Sequence, residues 1–310
     1  MAINRVEIKD FLVFKGEFAL DFCPGVNVLI GGNATGKTTL LRCLYELKDQ
    51  YLLMNDETGN LVMNGNTGKL LAENLIGKRE RKWGRAFIDD DGDAISFVYI
   101  PEKDMLSHSK GFISLYQERE LPFGGIFADI LLKAQLPVTR EIKPNAKKVI
   151  GKIKEIIGGE VTYENDAFFT VKDNGERISF SLEASGFLKF GLLWKLLRNG
   201  LLERGTILFW DEPENSLNPE LIPILVDILL ELSRNGVQVF LATHSEILAS
   251  YFAVNRKRND SVMFHSLYRE SEFIRVESGD RFDLLDNNKL SSEPVKLYKK
   301  QLERGLSGNG

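Results

Sequence analysis

Apolar and polar positions alternate through "RVEIKDF" at residues 5–11 and again through "GEFALDF" at 16–22, the period of strands with one buried face. "GVNVLI" at 25–30 reads as a third strand and runs into a glycine-rich loop. A helix is predicted from about Lys37 to Lys48. The polar stretch "NDETGNLVMNGNTGK" at 55–69 is dense in turn residues and reads as a surface excursion. "RAFIDDDGDAISFVYIP" reads as a hairpin, two apolar runs around an Asp/Gly turn, stopped at Pro101. Helical spacing follows between Gly124 and Gly158, in "GIFADILLKAQL" and in "PNAKKVIGKIKEIIGG". "EVTYENDAFFTVKDNGERISFSL" then reads as a strand meander with turns at "END" and "DNG".

From there the pattern alternates helix and strand. "GFLKFGLLWKLLRNG" is a helix stopped at Asn199-Gly200, and "TILFW" is a strand. "NPELIPILVDILLELSRNG" is a helix with Asn218 as N-cap and Pro219 in its first position, and "VQVFLATH" is the next strand. The continuous apolar runs "TILFW" and "VQVFLA" suit parallel strands covered on both faces. No internal repeat or sustained heptad pattern is visible, so no coiled coil is expected.

Composition narrows the class. With 310 residues, 43% hydrophobic and 27% charged, the chain has the balance of a soluble globular protein and enough length for a sizeable core. No apolar run nears the roughly 20 residues of a membrane-spanning helix, and "MAINRVEIKDF" lacks the apolar stretch of a signal peptide. Cys23 and Cys43 have no metal-ligand spacing and read as buried thiols in a reducing compartment, so a cytoplasmic location is expected. The net charge of −4 argues against wholesale wrapping by nucleic acid but leaves room for a local basic patch.

The glycine loop carries the first chemistry. Gly31, Gly32, Asn33, Ala34, Thr35, Gly36, Lys37, Thr38 and Thr39 spell G-x-x-x-x-G-K-[ST] between a strand and a helix. Backbone N–H groups of such a loop cradle a phosphate at the positive end of the helix. Lys37 then reaches the β- and γ-phosphate oxygens, and the Thr38 hydroxyl ligates Mg²⁺. A second cluster follows the apolar run "ILFW". Asp211 stands at the carboxyl end of a buried strand, the place for a partner of Mg²⁺, and Glu212 is placed to polarise a water. His244, at the end of the next strand, reads as a γ-phosphate sensor. The competing readings are two acids that start a helix and a structural histidine.

Taken in order, "GGNATGKTT", "ILFWDEPENSLNP" and "LATHSE" resemble the P-loop, Walker B, D-loop and switch histidine of ABC-type ATPase heads. The resemblance is nearest to the chromosome-maintenance, double-strand-break-repair, recombination-mediator and overcoming-lysogenization-defect branch. It extends to the bacterial "AAA family ATPase" proteins that accompany nucleases in phage-defence operons. It covers most of the chain, least around residues 50–85 and in the last forty residues. It implies an α/β P-loop NTPase fold of ABC-ATPase type: a mixed sheet core, N-terminal antiparallel strands and an inserted helical lobe. The expected layout is one ATPase domain over 1–310. Its nucleotide lobe takes about 1–102 and 200–290, its helical lobe about 103–199, and a C-terminal helix about 293–304.

The resemblance also implies ATP and Mg²⁺ as cofactors and a homodimer closed through the ATP sites, with Ser185, Gly186 and Asn215 acting in trans. Ser185 would be a serine N-cap opening an anion site at a helix start; the alternative is an ordinary helix cap. Two departures stand out. Ala34 replaces the usual second glycine of the loop, and "EASGFLK" is not the Leu-Ser-Gly-Gly-Gln signature of transporters. No glutamine loop is evident: Glu102 and Lys103 hold its expected place, and Gln117 lies beyond. Phe14 and Lys15 stand where the family holds base and ribose, although Phe14 reads equally as strand core. The implied function is an ATPase whose dimerisation gates a protein effector, such as a nuclease in anti-phage defence. The alternatives are a compact DNA-repair ATPase acting on DNA and, less favoured, a transporter subunit.

Overall fold

The computed structural model describes residues 2–46, 60–62, 84–89, 96–119, 125–287 and 298–304. Its centre is a six-stranded sheet in the order β13-β12-β3-β11-β10-β6. These strands are β3 (Val26–Gly31), β6 (Ser96–Ile100), β10 (Thr206–Asp211), β11 (Gln238–Ala242), β12 (Val262–Glu270) and β13 (Phe273–Gly279). All neighbours are parallel except β12 and β13. β3, β10 and β11 are buried at every residue, as their unbroken apolar runs predict.

Because side chains alternate across a strand, each strand feeds two cores. Val28, Ile30, Val98, Ile100, Leu208, Trp210, Val239 and Leu241 face one core. It is completed by helices α3 (Gly125–Gln135), α4 (Pro144–Ile157), α5 (Ser185–Arg198) and α6 (Ile222–Arg234). Leu29, Phe97, Tyr99, Ile207, Phe209, Phe240 and Ala242 face the other, built on helix α1 (Lys37–Glu46) and a second sheet. That sheet runs β2-β1-β5-β4, from β1 (Ala2–Phe11), β2 (Phe14–Asp21), β4 (Asn60–Val62) and β5 (Gly84–Asp89). In β2 the buried Phe14, Phe18 and Leu20 alternate with exposed Lys15, Glu17, Ala19 and Asp21. Phe14 is wholly buried, 4.6 Å from Phe18 between ring centroids, so its strand-core reading holds.

The expected hairpin between residues 85 and 101 is not formed. Both strands exist, but β5 pairs with β1 and β4 while β6 pairs in parallel with β10. The physical reason lies in β6, where Phe97, Val98, Tyr99 and Ile100 are all buried and so demand cover on both faces. The meander is formed as read, by β7 (Gly159–Glu164), β8 (Ala167–Lys172) and β9 (Arg177–Ser179). Helix α2 (Phe112–Arg119) precedes α3, and helix α7 (Glu246–Asn255) follows β11. Asn218 caps the helical segment that opens at Pro219, accepting from the Glu220 N–H. Within the excursion read at 55–69, residues 60–62 form β4, and the rest lies outside the described residues. Of the helix read at 293–304, residues 298–304 are helical and 293–297 lie outside them. Cys23 and Cys43 are free and buried. Among the described residues no helix is long and apolar enough to cross a membrane.

The two sheets are tied by a buried amide. The Gln238 side chain accepts from Ile3 N at 2.7 Å and donates to Ile3 O at 2.9 Å and Cys23 O at 2.8 Å. Replacing Gln238 with Leu leaves these buried backbone groups without that partner, each costing about 1–3 kcal/mol. Gln238→Leu is therefore expected to lower the unfolding free energy by roughly 3 kcal/mol, measured as a reduced urea midpoint with an unchanged m-value.

Candidate functional site

Register places the carboxyl ends of four strands at one level. Trp210 pairs with Ile100 and Leu241, Asp211 with Ala242, and Ala242 with Leu29. The loops leaving β3, β6, β10 and β11 therefore meet above the sheet, where ligands bind in open α/β folds.

The loop after β3 turns on two glycines. Gly31 has φ +143°, and a Cβ there would collide with the Leu267 carbonyl. Gly36 has φ +92°, with Phe14 Cζ and Val13 Cγ2 each 2.9 Å from where a Cβ would stand. Only glycine satisfies both conditions. Ala34 holds φ +59° without that freedom, at a cost of about 1–2 kcal/mol. Its carbonyl accepts from the Arg269 guanidinium at 3.2 Å, and the Thr35 hydroxyl donates to Gly32 O at 2.9 Å. Asn33 and Ala34 are exposed, whereas Thr38 and Thr39 are half-buried in the first turn of α1.

Lys37 is 5% exposed and folds back under the loop. Its Nζ donates to Gly31 O at 2.9 Å and Gly32 O at 3.0 Å, and stands 3.0 Å from His244 Nε2. Burial lowers its pKa to about 8 against the pull of Glu212, Asp211 and Glu214. His244 is itself shifted down, by burial and then by the Lys37 charge. A neutral imidazole with its lone pair on Nε2 is the tautomer that accepts from an ammonium. Glu212 Oε1 lies 3.4 Å from the same Nε2.

Asp211 accepts from the Thr38 hydroxyl at 3.0 Å. Burial raises its pKa to about 6, with the Thr38 hydrogen bond acting in the opposite direction. A hydroxyl beside a carboxylate is an all-oxygen donor pair, the set Mg²⁺ takes when phosphate oxygens and waters supply the rest. Thr38 and Asp211 thus fit that ion. Glu212 begins the turn with φ +47°, and Ser216 ends it with φ +59°. Backbone outliers of this kind cluster at functional sites.

The residues expected to act in trans contact their own chain. Asn215 donates to Glu102 Oε1 at 2.9 Å. Ser185 is not an N-cap: Ala184 holds the cap position with no side-chain hydrogen bond, and Ser185 is the first helical residue of α5. Ala184 has the extended backbone of a cap (φ −64°, ψ 136°) while Ser185 is already helical, and the Ser185 hydroxyl turns to Ser216 O at 3.4 Å. Gly186 is buried against Leu217, whose Cδ1 lies 3.2 Å from the position of a Cβ. One turn on, the Lys189 ammonium donates to Glu212 O and Pro213 O, each at 3.0 Å. Burial lowers its pKa to about 8. Gln117 is exposed on α2, and Glu102 follows β6 where a glutamine loop was sought.

Sequence reading missed Glu214 and Thr243. The Thr243 hydroxyl donates to Glu214 Oε1, Thr243 Oγ1 accepts from Ser245 N at 2.8 Å, and Ser245 caps α7. These bonds clamp the residues flanking His244 to the turn after Asp211. The only available signal was an acid three residues beyond Asp211, with nothing to name its partner. Arg269 was missed too, because its contact with Ala34 joins residues 235 positions apart.

A family model described as "AAA domain, putative AbiEii toxin, Type IV TA system" matches residues 80–250, and a second AAA-domain model matches residues 5–45. The arginine transport ATP-binding protein ArgV of Corynebacterium glutamicum is 24% identical over 264 residues, 85% of this chain and 83% of that protein. The DNA replication and repair protein RecF of Lactobacillus gasseri is 51% identical over 47 residues. That stretch is 15% of this chain and 12% of RecF, so the likeness is confined to a short segment. Among solved structures, an SMC head bound to the C-winged helix domain of ScpA aligns with a TM-score of 0.52 at 12% identity, over 90% of this chain and 98% of that one. That likeness concerns the fold, which is the expected P-loop NTPase α/β fold with a mixed sheet core. The first family match spans more than half of the chain, and the protein therefore belongs to that AAA-domain family.

Proposed function

We propose that this chain binds Mg-ATP on Gly31–Thr39 and hydrolyses it, and that two copies close head to head on the nucleotide to regulate a partner effector. The observation that carries this reading is the meeting of Lys37, Thr38, Asp211, Glu212 and His244 from three strand ends within hydrogen-bonding reach. These are the residue types that position phosphates, metal and water in phosphoryl transfer.

In this reading the loop amides hold the β-phosphate, and the Lys37 ammonium exchanges the Gly31 and Gly32 carbonyls for phosphate oxygens. Thr38 and Asp211 would hold Mg²⁺, which neutralises charge on the phosphates. Glu212 takes a proton from the attacking water, and His244 holds the γ-phosphate side of that water. Ser185, Gly186 and Asn215 of each copy close over the other's nucleotide, released from the contacts they make within one chain. Binding energy is thereby converted into association. The same reading treats residues 1–310 as one ATPase unit with the two lobes described above, acting in the cytoplasm. The family description names a toxin–antitoxin system, which supports a second protein as effector; a nuclease in anti-phage defence is the specific form proposed. The RecF segment and the SMC-head fold favour the second reading, a compact ATPase that acts on DNA. ArgV supplies the transporter reading, which the divergent "EASGFLK" segment disfavours.

Glu212→Gln is expected to retain ATP binding, to lower turnover by about a hundredfold or more, and to accumulate a dimer on size exclusion with ATP. Turnover at the parental rate would remove Glu212 as base. Lys37→Ala should lose nucleotide affinity in a titration with a fluorescent ATP analogue.

The shifted groups give a pH dependence. Asp211 must be ionised and Lys37 protonated, so affinity for Mg-ATP is expected to rise through pH 6 and fall above pH 8. Asp211→Asn should abolish the acid limb in the same titration. The carboxylate also has a stability signature. Its pKa rises from about 3.9 in the unfolded chain to about 6 in the fold. The folded state therefore binds the proton more tightly, and stability is lost as pH rises from 4 to 6. Asp211→Asn should stabilise the protein at pH 8 by about 3 kcal/mol and hardly at pH 4, as read by urea unfolding at both values.

A further inference from the structure

We infer that Tyr99 is a positioning residue for Mg²⁺: its hydroxyl, with Arg42 as its second neighbour, closes onto the Asp211 carboxylate and orients it. This rests on the ATP-site reading and deepens it, since it concerns what supports Asp211. The topology brings the three residues together. Tyr99 of β6 pairs with Phe209 of β10, and Asp211 stands two residues further along β10. Residues two apart on a strand share a face, and Tyr99 and Phe209 both face the core beneath α1. The step from Phe209 to Asp211 is about 6.6 Å, which a tyrosine leaning along its strand covers. Arg42 lies one turn after Thr38 on α1, on the same helix face, and Thr38 is itself bonded to Asp211 at 3.0 Å.

The hydroxyl is what packing alone does not explain. Tyr99 is wholly buried, with its ring centroid 5.3 Å from that of Tyr45 and 6.4 Å from that of Phe209. Among the described residues its hydroxyl has no hydrogen-bond partner, and the half-buried Arg42 leaves its Nε unpaired as well. A buried polar atom without a partner is destabilising, and phenylalanine would fill the same space without that penalty. Tyr45, in the same aromatic cluster, shows the ordinary solution: its hydroxyl donates to Asp129. The unpaired phenol is the one that faces the ions of the site. Burial and then the Asp211 charge push its pKa above the usual phenol value, against the pull of Arg42, so it keeps its proton.

A phenol can donate and accept. Between a guanidinium and a carboxylate its polarity is set: it accepts from Arg42 and donates to Asp211. Asp211 already takes the Thr38 hydroxyl on Oδ1. A second donor, arriving from β6, fixes the plane of the carboxylate, the task that hydrogen-bonding partners of metal-ligating carboxylates perform. Because the hydroxyl is neutral, it orients Asp211 without cancelling the charge that a cation needs, as a direct Arg42 salt bridge would. The bond closes as the site is loaded, so its gain is realised in metal affinity and not in the stability of the fold.

The test separates the metal from the nucleotide. Affinity of the full chain for a fluorescent ATP analogue is measured in EDTA and then across a series of Mg²⁺ concentrations. Tyr99→Phe, which keeps the ring and removes only the hydroxyl, is measured alongside, and both are unfolded in urea. The parent is expected to gain affinity with Mg²⁺. Tyr99→Phe should match the parent in EDTA, need about tenfold more Mg²⁺ for half of that gain, and show a urea midpoint equal to or above the parent's. Tyr45→Phe, which removes the bond to Asp129, should give the opposite split: a lower urea midpoint with the parental Mg²⁺ requirement. An unchanged Mg²⁺ requirement in Tyr99→Phe overturns the proposal and leaves the ATP-site reading standing. A Tyr99→Phe chain that folds less stably, or loses affinity equally with and without Mg²⁺, marks a structural hydroxyl and overturns it too. A parent that gains nothing from Mg²⁺ removes the ATP-site reading and this inference together.

Discussion

An ammonium buried at the end of a parallel strand constrains everything around it. Lys37 has little access to water, so its three donors must be met by groups of the fold. Two of them are carbonyls of the loop itself, which points those oxygens inward and turns the remaining loop outward. That geometry requires the left-handed backbone at Ala34 and Gly36 and the near-extended positive φ of Gly31. The third neighbour, His244, must be neutral to accept, and burial together with the Lys37 charge keeps it so. The carboxylates of Asp211 and Glu212 then stand close enough to stabilise the ammonium without forming a direct salt bridge that would hold it in place. In the proposed function this leaves the lysine able to exchange carbonyl oxygens for phosphate oxygens.

Around this centre the loops are cross-linked. The turn after β10 is held from three sides: by Lys189 of α5 on the Glu212 and Pro213 carbonyls, by Glu102 after β6 on Asn215, and by Thr243 after β11 on Glu214. Each contact joins a different structural element to one short stretch of chain, through backbone carbonyls for Lys189 and through side chains for Glu102 and Thr243, and that stretch includes the strained Glu212. A shift of α5 therefore pulls on the backbone that aims Glu212. Lys189 bonds the carbonyls and not the carboxylate, which leaves the Glu212 side chain available for the role proposed for it.

The central sheet and the P-loop could be read from residue types alone, because apolar runs, glycines and Lys37 follow local rules. Asp211, Glu212 and His244 were legible for a related reason: a polar residue that ends a wholly apolar strand must sit at the sheet's edge. Pairing was not legible at β5 and β6, because two apolar runs flanking Asp and Gly satisfy hairpin chemistry whether or not they join the same sheet. Only the burial of both faces of β6 distinguishes the cases, and its place in the sheet depends on β10, far away in the chain. The misread cap at Ser185 has the same origin. Ser185 and Ala184 are both compatible with the start of α5, and the fold gives the extended cap backbone to Ala184 while the Ser185 hydroxyl meets Ser216 O, 31 residues away. Contacts of long range, such as Arg269 with Ala34, leave no local trace.

The ionisable groups of the site argue that it is held in a state of electrostatic cost. Burial lowers Lys37 and Lys189, and burial raises Asp211 and Glu214, so all four are shifted toward neutrality. Their mutual attraction offsets only part of the desolvation, which is the usual balance for buried charges. A ligand that brings both phosphate anions and a divalent cation adds an opposite charge to each side at once. It relieves the lysine and the carboxylate together, whereas either ion alone would relieve one and aggravate the other. On the proposed function, a preference for the metal-bound triphosphate over free phosphate is the expectation that this charge pattern supports.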